Sequence, residues 1–258
     1  MNRLPPILAA GMFGLLAALP AAAADIAAVV GWSQRVELGT LVSGVVSEVP
    51  VRPGQSVHKD DLLISLDKRG FDSQVSRRIA EQRHALALLE EAKREDERAA
   101  ELYDRTLLSD YERNQALIGL QSARAAAERA RANLLAARLD LEHSQIRAPF
   151  DGVVLVVNAA PGQSVVTELQ SQPLVTLADN RTYQARAQVD AAQAGLLQAG
   201  APLTATVRGQ SFEARVSYVG YEPVAQSGQE PRYELVADII ASEQQTVRVG
   251  EPVMLHLD

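Results

Sequence analysis

A fifteen-residue pattern occurs twice in this chain, and what lies between the copies limits the folds open to it. Ser43 to Val57 reads SGVVSEVPVRPGQSV and Asp151 to Val165 reads DGVVLVVNAAPGQSV, identical at nine of fifteen positions without a gap. Gly44, Pro53 and Gly54 of the first copy fall on Gly152, Pro161 and Gly162 of the second. After a three-residue offset the likeness resumes, Leu63-Ile64-Ser65-Leu66 against Leu174-Val175-Thr176-Leu177. Each copy is a short β-branched run, a Pro-Gly pair and a second short run, which reads as strand, turn, strand. Proline followed by glycine suits a type II turn, because proline presets its own φ and glycine accepts a positive one. One copy alone exposes an unpaired edge and a bare apolar face. Two copies can close on each other as a single β-sandwich drawn from residues 42–70 and 146–179.

Between the copies, Phe71 to Gln145 holds 75 residues with no proline, one glycine (Gly119) and fifteen alanines. That composition predicts long helix. Leu120, Ala123, Ala127, Ala130, Leu134, Ala137 and Leu141 alternate at three and four residues, the a/d spacing of a coiled coil, with alanine allowing close approach. The first half predicts a seam through Val75, Ile79, Leu86 and Leu89, which drifts to Ala92, Ala99 and Leu102 past Lys93 and Asp96. The reversal is placed at Arg105 to Leu108, where Ser109 can cap a second helix with Glu112 at its third position, a capping box. Two arms of about 35 residues at 1.5 Å each make an antiparallel hairpin about 50 Å long. Arg124, Arg131 and Arg138 recur every seven residues with Glu128 and Glu142 nearby. Two readings of them stay open, a solvated face laced by local ion pairs or a lateral contact with a neighbouring hairpin.

Residues 180–258 alternate at Tyr183, Ala185, Ala187 and Val189, pass an Ala-rich helical stretch from Asp190 to Ala199, and return to strand over Leu203–Val207, Phe212–Val219, Tyr233–Ile239 and Val253–Leu257. Arg208-Gly209, Ser227-Gly228 and Gly250-Glu251-Pro252 punctuate them, the pattern of a small antiparallel β-barrel. The N-terminal residues 25–41, through the stretch from Ala28 to Val42, are expected to add one more barrel strand. Ahead of them, residues 1–24 carry Arg3, an apolar run from Ile7 to Leu19, Pro20 and four alanines. This is the layout of a cleaved signal peptide releasing Asp25, since the run is short of the roughly 20 residues that span a bilayer. The fold class is therefore α+β, elongated and multidomain.

Composition removes several function classes. Aromatics are only 4% and the net charge is −7, leaving neither base-stacking platforms nor a basic field for nucleic acid. Cysteine is absent, excluding disulfides, thiolate metal ligands and thiol nucleophiles. His58, His84, His143 and His256 have no ligand spacing, and no Gly-rich phosphate loop or G-x-S-x-G is present. No catalytic, cofactor-binding or metal residue is assigned. Asp60, Asp61 and Asp67 read as turn and cap residues, and Lys68 as a solvated lysine at the junction into the helix.

These features together resemble the membrane fusion proteins, the periplasmic adaptor subunits of tripartite efflux pumps. The order of parts is similar: half lipoyl domain, helical hairpin, second half lipoyl domain, β-barrel. Ile146-Arg147-Ala148-Pro149-Phe150-Asp151-Gly152-Val153-Val154 is similar to the family's return from hairpin into lipoyl domain. Arg98, Leu102 and Ser109 have the spacing R-x3-L-x6-S, which in that family marks the hairpin tip that docks on a TolC-type outer-membrane channel. The resemblance implies a non-enzymatic, cofactor-free protein of the periplasm, peripheral to the inner membrane. It would form a homo-oligomeric ring, a trimer or hexamer, and join an inner-membrane transporter of the RND class to the channel for small-molecule export. An ABC-type exporter is the alternative transporter, and a lipoyl- or biotinyl-type carrier subunit the alternative function. Family members usually add a membrane-proximal domain. The 17 residues of Asp25 to Leu41 and the strand ending at Asp258 lead us to expect an adaptor without one.

Overall fold

The computed structural model describes residues 25–167, 173–225, 230–240 and 247–257. The expected signal segment over 1–24 and the expected turn at Ser227-Gly228 lie outside the described residues. In chain order the strands before the hairpin are β1 (Ile26–Trp32), β2 (Arg35–Leu38), β3 (Gly44–Glu48), β4 (Ser56–Val57) and β5 (Leu62–Leu66). Helices α1 (Arg69–Asp104) and α2 (Asp110–His143) follow, then β6 (Gln145–Arg147), β7 (Gly152–Val157), β8 (Ser164–Val165), β9 (Val175–Ala178) and β10 (Thr182–Val189). The chain continues through α3 (Ala191–Leu196), β11 (Pro202–Val207), β12 (Gln210–Ala225), β13 (Arg232–Ile240) and β14 (Pro252–Leu257). It divides into two compact units, Gly31–Gln184 with Ile240–Val249, and a second unit holding Ala185–Ile239 with the flanking segments up to Val30 and from Gly250.

In the first unit the two sequence copies make one sandwich of two sheets, ordered β2-β9-β7-β4 and β6-β5-β3-β8. Each sheet takes strands from both copies: β4 of the first pairs with β7 of the second, and β8 of the second with β3 of the first. The repeat also governs the turns. Gly54 (φ 83°) and Gly162 (φ 87°) hold the positive φ expected of Pro-Gly turns, closed by Gln55 N–H to the Arg52 carbonyl and Gln163 N–H to the Ala160 carbonyl, each 3.1 Å. Both turns then bond across to the other copy. Gly54 N–H donates to the Val154 carbonyl (2.7 Å), and Gly162 N–H to the Val46 carbonyl (2.8 Å). Val46 N–H reaches Gln163 (2.8 Å) and Val154 N–H reaches Gln55 (2.9 Å). Neither copy can satisfy these groups alone. The core between the sheets includes Leu63, Ile64, Leu66, Leu174, Val175 and Leu177, all essentially solvent-free, each worth roughly 1.5–3 kcal/mol when fully buried.

The hairpin leaves and rejoins this sandwich through neighbouring strands. β5 and β6 are antiparallel partners, Ser65 opposite Gln145, and Leu66 N–H donates to the Ser144 carbonyl at 2.8 Å. On α2 every residue of the expected seam is turned inward, with Ala127, Leu134 and Ala137 fully buried. On α1 one seam residue differs from expectation. Leu86 is 46% exposed while its neighbour Ala85 is buried, because the smaller residue lets the Ala-lined α2 face approach closely. Nearer the reversal the apolar seam gives way to an ion pair, Arg113 to Asp96 at 2.5 Å, both side chains mostly buried. Of the outward charges, Arg131 pairs back to Glu128 at 3.9 Å.

The second unit contains most of a closed six-stranded antiparallel barrel, β1-β10-β13-β12-β11-β14. Its strands alternate inward and outward: Ile26, Ala28 and Val30 on β1, Leu203, Ala205 and Val207 on β11 point in. Alanine at many inward positions fits the narrow interior of so small a barrel. Two boundaries differ from the sequence expectation. Residues 25–41 do not all join the barrel: β1 does, but β2 pairs with β9 of the sandwich, Val36 opposite Leu177. A single strand of that length would run to about 55 Å, far beyond the usual strand, and Val36 and Leu38 find cover on the sandwich core instead. The Ala-rich helix is also shorter than 190–199, ending at Leu196, with Leu197 already extended, although its Asp190–Gln193 capping box forms.

Candidate functional site

The hairpin reversal is built from two complementary caps. At the end of α1, Thr106 N–H donates to the Tyr103 carbonyl (2.8 Å) and Leu107 N–H to the Leu102 carbonyl (2.9 Å), the paired bonds of a Schellman motif. Thr106 takes the left-handed position at φ 57°, where glycine is usual and a β-branched residue is strained. At the start of α2, Ser109 Oγ accepts from Glu112 N–H (3.3 Å) while Ser109 N–H donates to the Glu112 carboxylate (3.0 Å). The Ser109 hydroxyl also donates to that carboxylate at 2.6 Å, and these bonds lower the Glu112 pKa. Across the turn Tyr103 Oη donates to Asp110 at 2.6 Å, and the negative partner raises the phenol's pKa.

Arg98 and Leu102 sit one helical turn apart on α1, and Ser109 begins α2. Arg98 is solvent-facing and pairs with Glu95 at 2.7 Å. Leu102 is half-buried and lines an open groove of about 640 Å³ between the helices, with Leu108 from the other side. Glu95 and Glu112, the partners of Arg98 and Ser109, line the same groove. The three residues thus meet one surface feature, Leu102 directly and the others through carboxylates. Leu107 and Tyr111 project at the tip, 69% and 71% exposed. Their exposure was not readable from periodicity, because helix spacing stops at a turn.

Of the six repeat residues Gly44, Pro53, Gly54, Gly152, Pro161 and Gly162, expected at the turns of the lipoyl-like domain, four lie in turns, whereas Gly44 and Gly152 open strands β3 and β7. Gly44 leaves room for Leu66, whose Cδ1 would lie 3.1 Å from an added Cβ, and Gly152 lies so close to the Ala178 carbonyl that an added Cβ would stand 2.3 Å from its oxygen. Pro53-Gly54 and Pro161-Gly162 are the cross-bonded turns described above. Roles that sequence reading missed lie in the return segment. Asp151 accepts from Lys59 N–H at 2.8 Å, which lowers its pKa, with Arg181 adding to the effect. Arg147 donates to the Asp60 carbonyl at 2.8 Å, holding the first copy's tight loop where Asp60 adopts φ 69°. Lys68 supplies the N-cap position of α1 and is followed by helix rather than a returning strand. Among the described residues no cluster of His, Asp and Glu could hold a metal ion, and no helix is long and apolar enough to cross a membrane.

Comparison with known families also finds a barrel-sandwich hybrid. The CzcB-like barrel-sandwich hybrid domain matches residues 34–179, more than half of the chain. The chain belongs to the membrane fusion protein family of periplasmic adaptors. The adaptor is 28% identical over 198 residues to the nodulation protein NolF of Rhizobium meliloti, covering 76% of this chain and 53% of that one. It is 29% identical over 192 residues to the macrolide export protein MacA of Escherichia coli O157:H7, covering 68% and 51% respectively. It therefore spans about half the length of the curated relatives it matches. The membrane fusion protein Spr0693 of Streptococcus pneumoniae shares the fold at a TM-score of 0.71 with 17% identity, covering 91% of this chain and 98% of that one.

Proposed function

We propose that this adaptor works in the periplasm, peripheral to the inner membrane, as part of a tripartite efflux pump. In this reading Arg98, Leu102 and Ser109 dock on a TolC-type outer-membrane channel. The β-domains assemble laterally into a homo-oligomeric ring, and an RND-class inner-membrane transporter supplies the energy for exporting small molecules. The observation that carries the reading is the coincidence of the R-x3-L-x6-S spacing with the helical reversal itself. The chemistry suits docking. Arg98 offers several directional donors, Leu102 an apolar anchor, and Ser109 holds the second helix start rigid while its neighbours face outward.

The test combines drug tolerance with thermal melting in cells whose sole adaptor is this chain. Arg98→Asp reverses charge at an exposed position and should change stability by no more than about 0.5 kcal/mol, yet tolerance should fall. Full tolerance in the Arg98→Asp, Leu102→Asp double variant would refute docking through these residues. Co-purification with an RND permease, rather than an ABC permease, is the expected outcome for the transporter.

A further inference from the structure

The seam between the two arms of the hairpin carries one charge on each side, and the two charges meet. On α2 the series that runs back from Leu141 through Leu134 and Leu120 at alternating intervals of four and three continues through Ala116 to Arg113, its only charged member. On α1 the matching series is Ala85, Leu89, Ala92, Asp96 and Ala99, spaced four, three, four and three. Arg113 Nη1 donates to Asp96 Oδ1 at 2.5 Å, with the Asp96 side chain 18% and the Arg113 side chain 28% exposed. Among the described residues this is the one ion pair that joins the arms. Glu90 with Lys93, Glu91 with Arg94 and Glu95 with Arg98 all lie within α1 and face solvent, so they support a helix without saying how it meets another.

The rest of the seam is poor at setting register. Alanine recurs every seven residues on both arms, at 85, 92 and 99 and at 116, 123, 130 and 137, so sliding one arm past the other by a heptad sets alanine on alanine again. Counting outward from the ion pair puts Ala92 in a layer with Ala116 and Leu89 with Leu120, in line with Ser65 opposite Gln145 at the base. Slipped by a heptad, Ala92 would meet Ala123, and Asp96 would meet Leu120 and lie buried without a partner. The base cannot choose between these registers early, because the sandwich halves are far apart in sequence and such pairings close late. The caps at the reversal hold only one turn of each helix.

We propose that Asp96 and Arg113 form a register pin, which selects how the arms zip together and so delivers the two halves of the sandwich opposite each other. A buried ion pair is a weak source of stability but a penalty for every pairing that separates its members. The pin acts whether or not the tip docks on a channel.

The chain has no cysteine, so introduced thiols report register without interference. The full chain is refolded from urea in oxidised glutathione with either of two pairs, Ala92→Cys with Ala116→Cys for the native register or Ala92→Cys with Ala123→Cys for the slipped one. In the native register the second pair stands about 10 Å apart along the seam, beyond the reach of a disulfide. With the pin intact, monomeric chains should cross-link through the first pair only. In Asp96→Leu with Arg113→Leu, the slipped cross-link should rise about tenfold or more, while the same double variant without cysteines melts at an equal or higher temperature. Asp96→Ala with Arg113→Ala should give the same slipped cross-link in a seam already rich in alanine. The exchanged pair, Asp96→Arg with Arg113→Asp, should suppress it. No slipped cross-link in either neutral double variant overturns the pin, and with a lowered melting temperature makes the pair a plain stabilising contact. A slipped cross-link as abundant in the exchanged pair as in the neutral variants overturns it as well.

Discussion

One backbone carbonyl decides what residue 152 can be. A methyl group at Gly152 would stand 2.3 Å from the Ala178 oxygen, and a backbone atom inside a sheet cannot swing away. At the equivalent Gly44 the obstacle is the end of the Leu66 side chain at 3.1 Å, which can shift by a rotamer. Gly152→Ala should therefore destabilise the sandwich by about 2 kcal/mol or more and Gly44→Ala by about 1 or less, read as the difference between two thermal melts. Equal losses would contradict the packing described. Nine shared identities made the pairing of these glycines legible, but their unequal neighbours were not, because both lie outside the fifteen aligned residues and Ala178 falls one residue beyond Leu177, the partner of Leu66 in the resumed likeness. Asp67 gives a second residue-scale prediction. Its bidentate hydrogen bonds to the Arg69 side chain and the bond from Arg69 N–H hold its pKa down to about 2. A depressed carboxylate contributes stability above its unfolded pKa and loses it as pH falls through the folded value. The first turn of α1 should therefore be insensitive to pH at neutrality and loosen only as pH falls from about 4 towards 2. Carboxyl NMR titration should find the low midpoint, and Arg69→Ala, which keeps the backbone bond, should raise it towards the ordinary carboxylate range.

Among the elements, α2 was readable residue by residue because its seam is an unbroken series of small and apolar positions. The α1 seam was not. Ala85 rather than Leu86 faces inward, and the pairing of Asp96 with Arg113 needs both helices in place before it exists. The same limit applies to residues 25–41, where a single apolar alternation serves two cores and no local signal says where one ends. The split sandwich makes the sharpest prediction at this scale. β5 and β6 are hydrogen-bonded neighbours at the base of the hairpin, so replacing Lys68–His143 with a short Gly/Ser linker closes a gap that is already narrow. The loop-closure cost grows only slowly with length, and the excised chain should keep a cooperative thermal transition and a β-type circular dichroism spectrum. Phe71, which packs on the sandwich core, goes with the excision, so a lower melting temperature is expected. Loss of the transition would mean that the hairpin is needed for the sandwich to fold.

For the whole molecule, the repeat, the helical interruption and the alternating C-terminal strands were enough to reach the family, because each is a periodic signal spread over many residues. Partner recognition has no such redundancy. In the proposed docking it rests on a few side chains at a turn, where Ser109 also caps α2 and the Leu102 carbonyl also closes the end of α1. Docking and capping must therefore be separated by experiment at the tip. A photo-crosslinking amino acid in place of Leu107, which the Schellman turn leaves projecting, tests this in living cells, with the same residue at exposed Leu139 as the control. The account predicts that Leu107 yields an adduct which mass spectrometry identifies as a TolC-type outer-membrane channel, and that Leu139 does not. Export that continues normally while Leu107 gives no channel adduct would contradict it.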